Sequence, residues 1–276
     1  MSEYAEHTLA TPEPVQLLVE LGRGAVHVGA TETSSTEVRI RGRDADQVRV
    51  EQHGRRISVV APRQRSLFGG DASLQIDVAV PAQSDVAVRS GSADVAVDGP
   101  VGAGRLRSGS GEVRVGSLGA SSLVETGSGD VRVDAAHADL RVKSGSGEVL
   151  LGRVAGTLAV STGSGDVTVE HADGPTAVKT GSGDLRVGES HTDVTLATGS
   201  GSLAIGAAHR GRVSVKGASG DVRVGVPAGV PVWTDVSTVS GEIRSTLGGT
   251  GEPAEGQAYV ELRAKTVSGD VVLAEA

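Results

Sequence analysis

From Asp94 to Ser202 the sequence repeats itself every 18 residues. The motif is Ser/Thr-Gly-Ser-Gly-Asp/Glu followed by Val-x-Val. Its closing acid recurs at Asp94, Glu112, Asp130, Glu148, Asp166 and Asp184, with Ser202 in the same slot. Looser copies follow at Asp221, Glu242 and Asp270, after intervals of 19, 21 and 28 residues. A period of this length restricts the chain to an array of small units, each too small to bury a core except against its neighbours.

Within each unit the apolar residues alternate. The position after the closing acid holds Val95, Val113, Val131, Val149, Val167, Leu185, Leu203, Val222, Ile243 and Val271. Six residues before the acid stand Val88, Leu106, Val124, Val142, Val160, Val178, Leu196, Val215, Val236 and Ala264. Alternation of mostly β-branched residues predicts strands with one face inward. No window carries the 3.6-residue period and caps of a helix. Glycine adopts φ > 0 without a Cβ penalty, so the Gly-Ser-Gly segments read as corners. The hydroxyl that opens each corner (Ser108, Thr126, Ser144, Thr162, Thr180, Thr198) is expected to point inward. The middle serine (Ser110, Ser128, Ser146, Ser164, Ser182, Ser200) is expected to follow it.

These features predict an all-β, single-domain parallel β-solenoid, or β-helix, with coils of 18 residues and irregular terminal capping coils. Ten coils at ~4.8 Å would make a rod about 50 Å long. The regular repeats occupy 86–225. Residues 1–85 are strand-like without the period and read as an N-terminal cap continuous with the solenoid, with a surface excursion at Pro62–Asp71. Residues 226–276 read as irregular C-terminal coils with a loop at 246–257. Trp233, the only tryptophan, is expected in the core of that cap.

Composition narrows the function classes. The 276 residues carry a net charge of −8 and no cysteine, which excludes disulfides, thiolate metal sites and a cysteine nucleophile. An acidic total argues against nucleic acid as partner. No run is long and apolar enough to span a membrane. The opening Met1-Ser2-Glu3-Tyr4-Ala5-Glu6-His7 has neither a basic nor an apolar signal region, so a cytoplasmic location is expected, or the cell surface by a non-classical route. Four aromatic residues, none in the regular coils, leave no platform for sugar rings, and no GxSxG elbow or Walker loop is present. Catalytic residues and cofactors are therefore expected to be absent.

A family resemblance extends this reading. Asp77-Val78-Ala79-Val80-Pro81 leads to Val86-Ala87-Val88-Arg89-Ser90-Gly91-Ser92-Ala93-Asp94-Val95. Repeated Ser-Gly-Asp-Val steps then run through Val226-Pro227-Ala228-Gly229-Val230-Pro231 and Thr238-Val239-Ser240-Gly241-Glu242-Ile243 to Thr266-Val267-Ser268-Gly269-Asp270-Val271. Together these resemble the bacterial β-strand-repeat family of unknown function labelled as candidate adhesins, a relative of the head domain of autotransporter adhesins. The resemblance covers nearly the whole chain. It implies a β-solenoid with an adhesin-like, non-catalytic role and brings no catalytic residues with it.

In a solenoid each repeat position becomes a column. The closing acids form one column, with Arg114, Arg132, Arg186, Arg223 and Arg244 two residues later. Five residues before the acid stand Arg89, Arg107, Lys143, Lys179, Lys216 and Lys265, which include all four lysines of the protein. Mutual neutralisation of these stripes and turn-capping by the acids are the expected roles. The basic column is also a strip on which an acidic polymer, or a protein, could lie. Calcium-binding repeats resemble the motif, but here Asp follows the second Gly directly and the period is 18 rather than about 9. Seven residues past their acids come His137, Asp173, His191 and His209; the last three, in consecutive coils, are the candidate metal ligands. The reading that results is a non-catalytic structural or interaction protein presenting flat faces to a macromolecular partner. A self-assembling, bactofilin-like scaffold joined through solenoid ends, giving a homo-oligomer, is the first alternative. A carbohydrate-active or metal-dependent enzyme is the second.

Overall fold

A computed structural model describes residues 3–62, 73–248 and 256–276. Most of the expected excursion at Pro62–Asp71 and residues 249–255 of the loop lie outside the described residues. The chain forms two compact units, Met1–Ala138 and Asp139–Ala276. Each is built from two sheets of mainly parallel strands, and two strands joined by a tight corner make one coil. Among the described residues the only helical element is a short 3₁₀ turn, Ala45–Gln47.

The coils stack in the register that the repeat demands. In the C-terminal unit Leu185 pairs with Leu203 and Val187 with Ile205 in the first sheet. Val178 pairs with Leu196 in the second. Alternation then sends every second side chain inward. The aliphatic after the closing acid is at most 1% exposed in nine of the ten copies, from Val95 to Val271. The tenth, Ile243, is 54% exposed, for a reason that lies in the order of the coils.

At both ends stacking order departs from chain order. In the C-terminal unit Val222–Val226 pairs with Val271–Glu275, which pairs with Ile243–Ser245. Gly211–Lys216 pairs with Val260–Ser268, which pairs with Val232–Ser240. The last coil in sequence is thus inserted ahead of the one before it. Inward positions explain the choice. Val260, Leu262 and Ala264 are fully buried between two neighbours. The outer strand Val232–Ser240 places Val232, Thr234 and Val236 at the matching positions, so a threonine, which tolerates a face left open, stands where the covered strand has Leu262. Trp233 points outward on this outer strand at 49% exposure, with Arg263 at 5.5 Å from its ring. This corrects the expectation of a tryptophan core, because Trp233 has the parity of the solvent-facing residues.

The N-terminal unit mirrors the exchange. The first coil, Gln16–Leu21 and Gly24–Thr31, sits between Asp85–Ser90/Asp94–Val101 on one side and Arg56–Val60/Leu74–Pro81 on the other. Here the outer coil is covered. Ser35–Arg41 adds to Leu74–Pro81 antiparallel, Tyr4–Ala10 adds to Ser35–Arg41, and Arg49–His53 folds back on Arg56–Val60. Val38, Ile40 and Ala45 are buried beneath these additions. Antiparallel strands end the parallel stack and shield its edge.

The corners show why glycine recurs. Gly111, Gly129, Gly165, Gly183 and Gly201 do not lie in the left-handed region. Their need for glycine comes from approach instead: a Cβ on Gly183 would stand 2.1 Å from the Gly165 carbonyl oxygen of the coil before. Only the looser copies use positive φ, as at Gly220 (+132°) and Gly269 (+147°). The opening hydroxyls point inward as expected, and Thr180 Oγ1 accepts from Gly183 N at 2.8 Å. The middle serines, Ser110 to Ser200, do not follow. They stand at the outside of the bend and are exposed, since the corner interrupts the alternation.

A direct test compares two glycines. Gly183→Ala forces backbone apart and is expected to lower stability by about 1–3 kcal/mol. Gly29→Ala, where nothing lies within 4 Å of the added Cβ, is expected to stay within about 0.5 kcal/mol. Thermal or urea unfolding measures both.

Candidate functional site

Three surface features carry charge or metal-ligating chemistry: the column of closing acids, the outward face of the second sheet in the C-terminal unit, and a histidine patch in the same unit. The acid column is fixed from both sides. Asp184 Oδ1 accepts from the backbone N–H of Ser202 at 2.9 Å, and Asp184 Oδ2 accepts from Arg186 at 3.4 Å. Asp166 repeats the arrangement, with Asp184 N at 2.9 Å and Arg186 at 3.5 Å. At Asp221 the partners are Asp270 N at 3.0 Å and Arg223 at 2.9 Å. Each of these three aspartates therefore caps the next coil rather than its own turn, and the arginine offsets repulsion between stacked carboxylates. With both oxygens engaged, these acids are poorly placed to ligate calcium.

The basic column differs between the units. In the N-terminal unit Arg89 meets Glu20 at 2.9 Å and Arg107 meets Glu125 at 2.6 Å. In the C-terminal unit Lys179, Lys216 and Lys265 make no ion pair among the described residues. Register puts Lys216 beside Lys265, with Ala197 between Lys179 and Lys216. The outward positions of this sheet also carry Arg141, Lys143, Arg212 and Arg263, against only two acids, Asp235 and Glu261. Glu261 is already neutralised. Arg212 Nε donates to it at 2.7 Å and Arg263 at 2.6 Å. The hydrogen bond from Arg212 holds the Glu261 carboxyl below the usual carboxylate range, and Arg263 adds to the effect. Between the cations lie Ala159, Ser161, Ala177, Thr195 and Ala197, short side chains that leave the face flat.

Histidines gather at the edge of the other sheet. His191 and His209 stack in successive coils with ring centroids 4.4 Å apart and planes within 5°. Asp173, one coil earlier, has Oδ1 3.5 Å from His191 Nδ1, while its Oδ2 accepts from Arg153 at 2.7 Å. All three candidate ligands are thus in one patch, but Asp173 is shared with an arginine. Glu189 joins the two histidines, and the ligand atoms of Glu189, His191 and His209 lie within 4.8 Å of one another. His171 stands beside them, with Nδ1 3.5 Å from Glu189 Oε2. His137 belongs to the N-terminal unit. Glu189 and His171 lie outside the expected set because they stand five, not seven, residues past their acids. The fifth position, which aligns Arg153, His171 and Glu189, is the column that reveals them.

Concave space offers less. A cavity of about 500 Å³ in the N-terminal unit is bordered by Glu20, Arg23, Arg43, Asp44 and Arg89, and its Glu20 is held by Arg89.

A family model matches the chain over residues 17–188 and again over 172–274. The chain belongs to the Toastrack DUF4097 family. The two overlapping matches of this Toastrack chain take in the regular coils and both exchanged ends. No curated protein sequence matches it. Among solved structures, a candidate adhesin from Parabacteroides merdae is similar at 10% identity, covering 98% of this chain and 96% of its own, with a TM-score of 0.46. A candidate adhesin from Bacteroides fragilis shares 11% identity over 99% and 98% of the two chains, with a TM-score of 0.39. A candidate lipid-binding protein from Parabacteroides distasonis shares 11% over 97% and 96%, with a TM-score of 0.45.

The capping role of the acid column separates hydrogen bonding from charge. Asp184→Ala leaves the Ser202 N–H without its acceptor and is expected to cost about 1 kcal/mol. Asp184→Asn keeps an acceptor oxygen and is expected to cost less than about 0.5 kcal/mol. Denaturant midpoints of the two variants give the comparison.

Proposed function

We propose that this Toastrack protein is a non-catalytic interaction protein that holds an acidic polymer across the outward face of the second sheet in its C-terminal unit. One observation carries the reading: Lys179, Lys216 and Lys265 form a column without counter-charges in a chain whose net charge is −8. Lys216 and Lys265 occupy neighbouring strands, ~4.8 Å apart, where two like charges repel by about 1 kcal/mol in water. A row of phosphates or carboxylates relieves that repulsion, and a flat bed of alanine and serine lets a linear chain lie along it. Flexible ammonium groups suit a polymer read by charge rather than by shape.

Catalysis fits the molecule less well. The closing acids that a hydrolase would use are committed to backbone N–H groups and arginines. The end-to-end scaffold gains nothing from the family match.

Fluorescence anisotropy with labelled heparin and with a poly(glycerol phosphate) tests the proposal. Binding is expected at low ionic strength and should weaken as salt screens the face. Lys179→Glu, Lys216→Glu and Lys265→Glu combined should weaken it roughly tenfold or more. Absence of binding to either polymer at low salt, or a triple variant that binds like the parent chain, would overturn the proposal.

A further inference from the structure

We propose that Glu189, His191 and His209 bind one divalent metal ion of the zinc class, at a site separate from the lysine face. Convergence is the first ground: one ligand atom from each residue falls within 4.8 Å of the other two. Unmet bonding capacity is the second. Nδ1 of His191, Nε2 of His209 and Nδ1 of neighbouring His171 are shut off from solvent without a hydrogen-bond partner. A buried polar atom left in that state is costly, and native structures usually supply it with a partner.

The chemistry of the set suits a metal ion, because each imidazole has a ring nitrogen whose lone pair can ligate. Two histidines and a glutamate form a donor set that zinc accepts, with a fourth position left for water. Asp173 completes the arrangement as a positioning residue. Its Oδ1 stands 3.5 Å from His191 Nδ1 without a hydrogen bond between them; as the ring turns to ligate through Nε2, that oxygen can accept a hydrogen bond from Nδ1–H, the carboxylate–histidine–metal pattern. Arg153, donating at 2.7 Å, holds the other oxygen of Asp173 and keeps it out of the coordination shell. Metal–nitrogen bonds of about 2.0–2.1 Å set ligand atoms roughly 3.3 Å apart. Ligation therefore turns the two half-buried rings out of their parallel stack.

The experiment uses the full chain after chelator treatment, titrated calorimetrically with zinc chloride and followed optically with cobalt chloride. One ion per chain and the visible bands of tetrahedral cobalt are expected. His191→Ala, His209→Ala and Glu189→Gln should each abolish binding, whereas His137→Ala should leave it unchanged. Asp173→Asn should weaken zinc by about 10–100-fold while keeping the tetrahedral cobalt spectrum, an outcome that loss of fold would not produce. Because a substitution can unfold a coil, imidazole proton resonances of the unmutated chain provide a second reading. Those of His191 and His209 should shift on adding zinc while those of His137 stay in place. Failure to bind zinc, binding that survives both Glu189→Gln and His209→Ala, or unmoved His191 and His209 resonances would overturn the proposal.

Discussion

At the corners of Gly111, Gly129, Gly165, Gly183 and Gly201, backbone passes so close over backbone that a methyl group does not fit between the coils. That contact sets the height of each step, and the rest of the structure follows from it. With a Cβ on Gly183 placed 2.1 Å from the Gly165 oxygen, neither coil can slide without a clash or a lost hydrogen bond. The inward threonines lock the same bend, and the closing acid reaches over it to the next coil's N–H. Glycine, hydroxyl and carboxylate act on one turn from three directions. Each step inherits its register from the one before, so equivalent side chains fall into columns.

Columns turn small sequence differences into surface properties. A single Lys or Glu in one slot has little effect on an isolated strand. Stacked with its counterparts, it decides whether a face is neutral or charged. In the N-terminal unit glutamates at Glu20 and Glu125 cancel the arginines of the basic column. In the C-terminal unit the slot between Lys179 and Lys216 holds Ala197, Lys216 stands beside Lys265, and charge accumulates. The histidine patch follows the same rule. Two side columns, one carrying His171 and Glu189 and the other Asp173, His191 and His209, run side by side and meet because the register never slips.

The ends obey a different constraint. A parallel stack leaves unpaired strand edges, and the two units deal with them in unlike ways. Antiparallel strands and a 3₁₀ turn cover the outer N-terminal coil, whose inward residues Ile57, Ile76 and Val78 stay buried. The outer C-terminal coil puts Thr234 where the covered strand has Leu262 and leaves Ile243 and Val239 in contact with water. Exchanging the last two coils places the more apolar strand, with Val260 and Leu262, where it is covered on both sides.

Strand placement, the period, the inward aliphatics and the opening hydroxyls were all legible in the residues alone, because each depends on alternation and spacing within about two coils. The columns of acids, arginines and lysines were legible for the same reason. Other features needed the folded chain. Glycine's role at the corners is one, since the sequence suggests positive φ where the fold requires close approach. The outward middle serines, the exposed Trp233 and the exchanged terminal coils are others, as is the joining of Glu189 to His191 and His209. A repeat describes what every coil shares, but competition for the end positions breaks that symmetry. Which strand goes outermost, and which side chains of adjacent columns touch, depends on contacts between residues far apart in the chain.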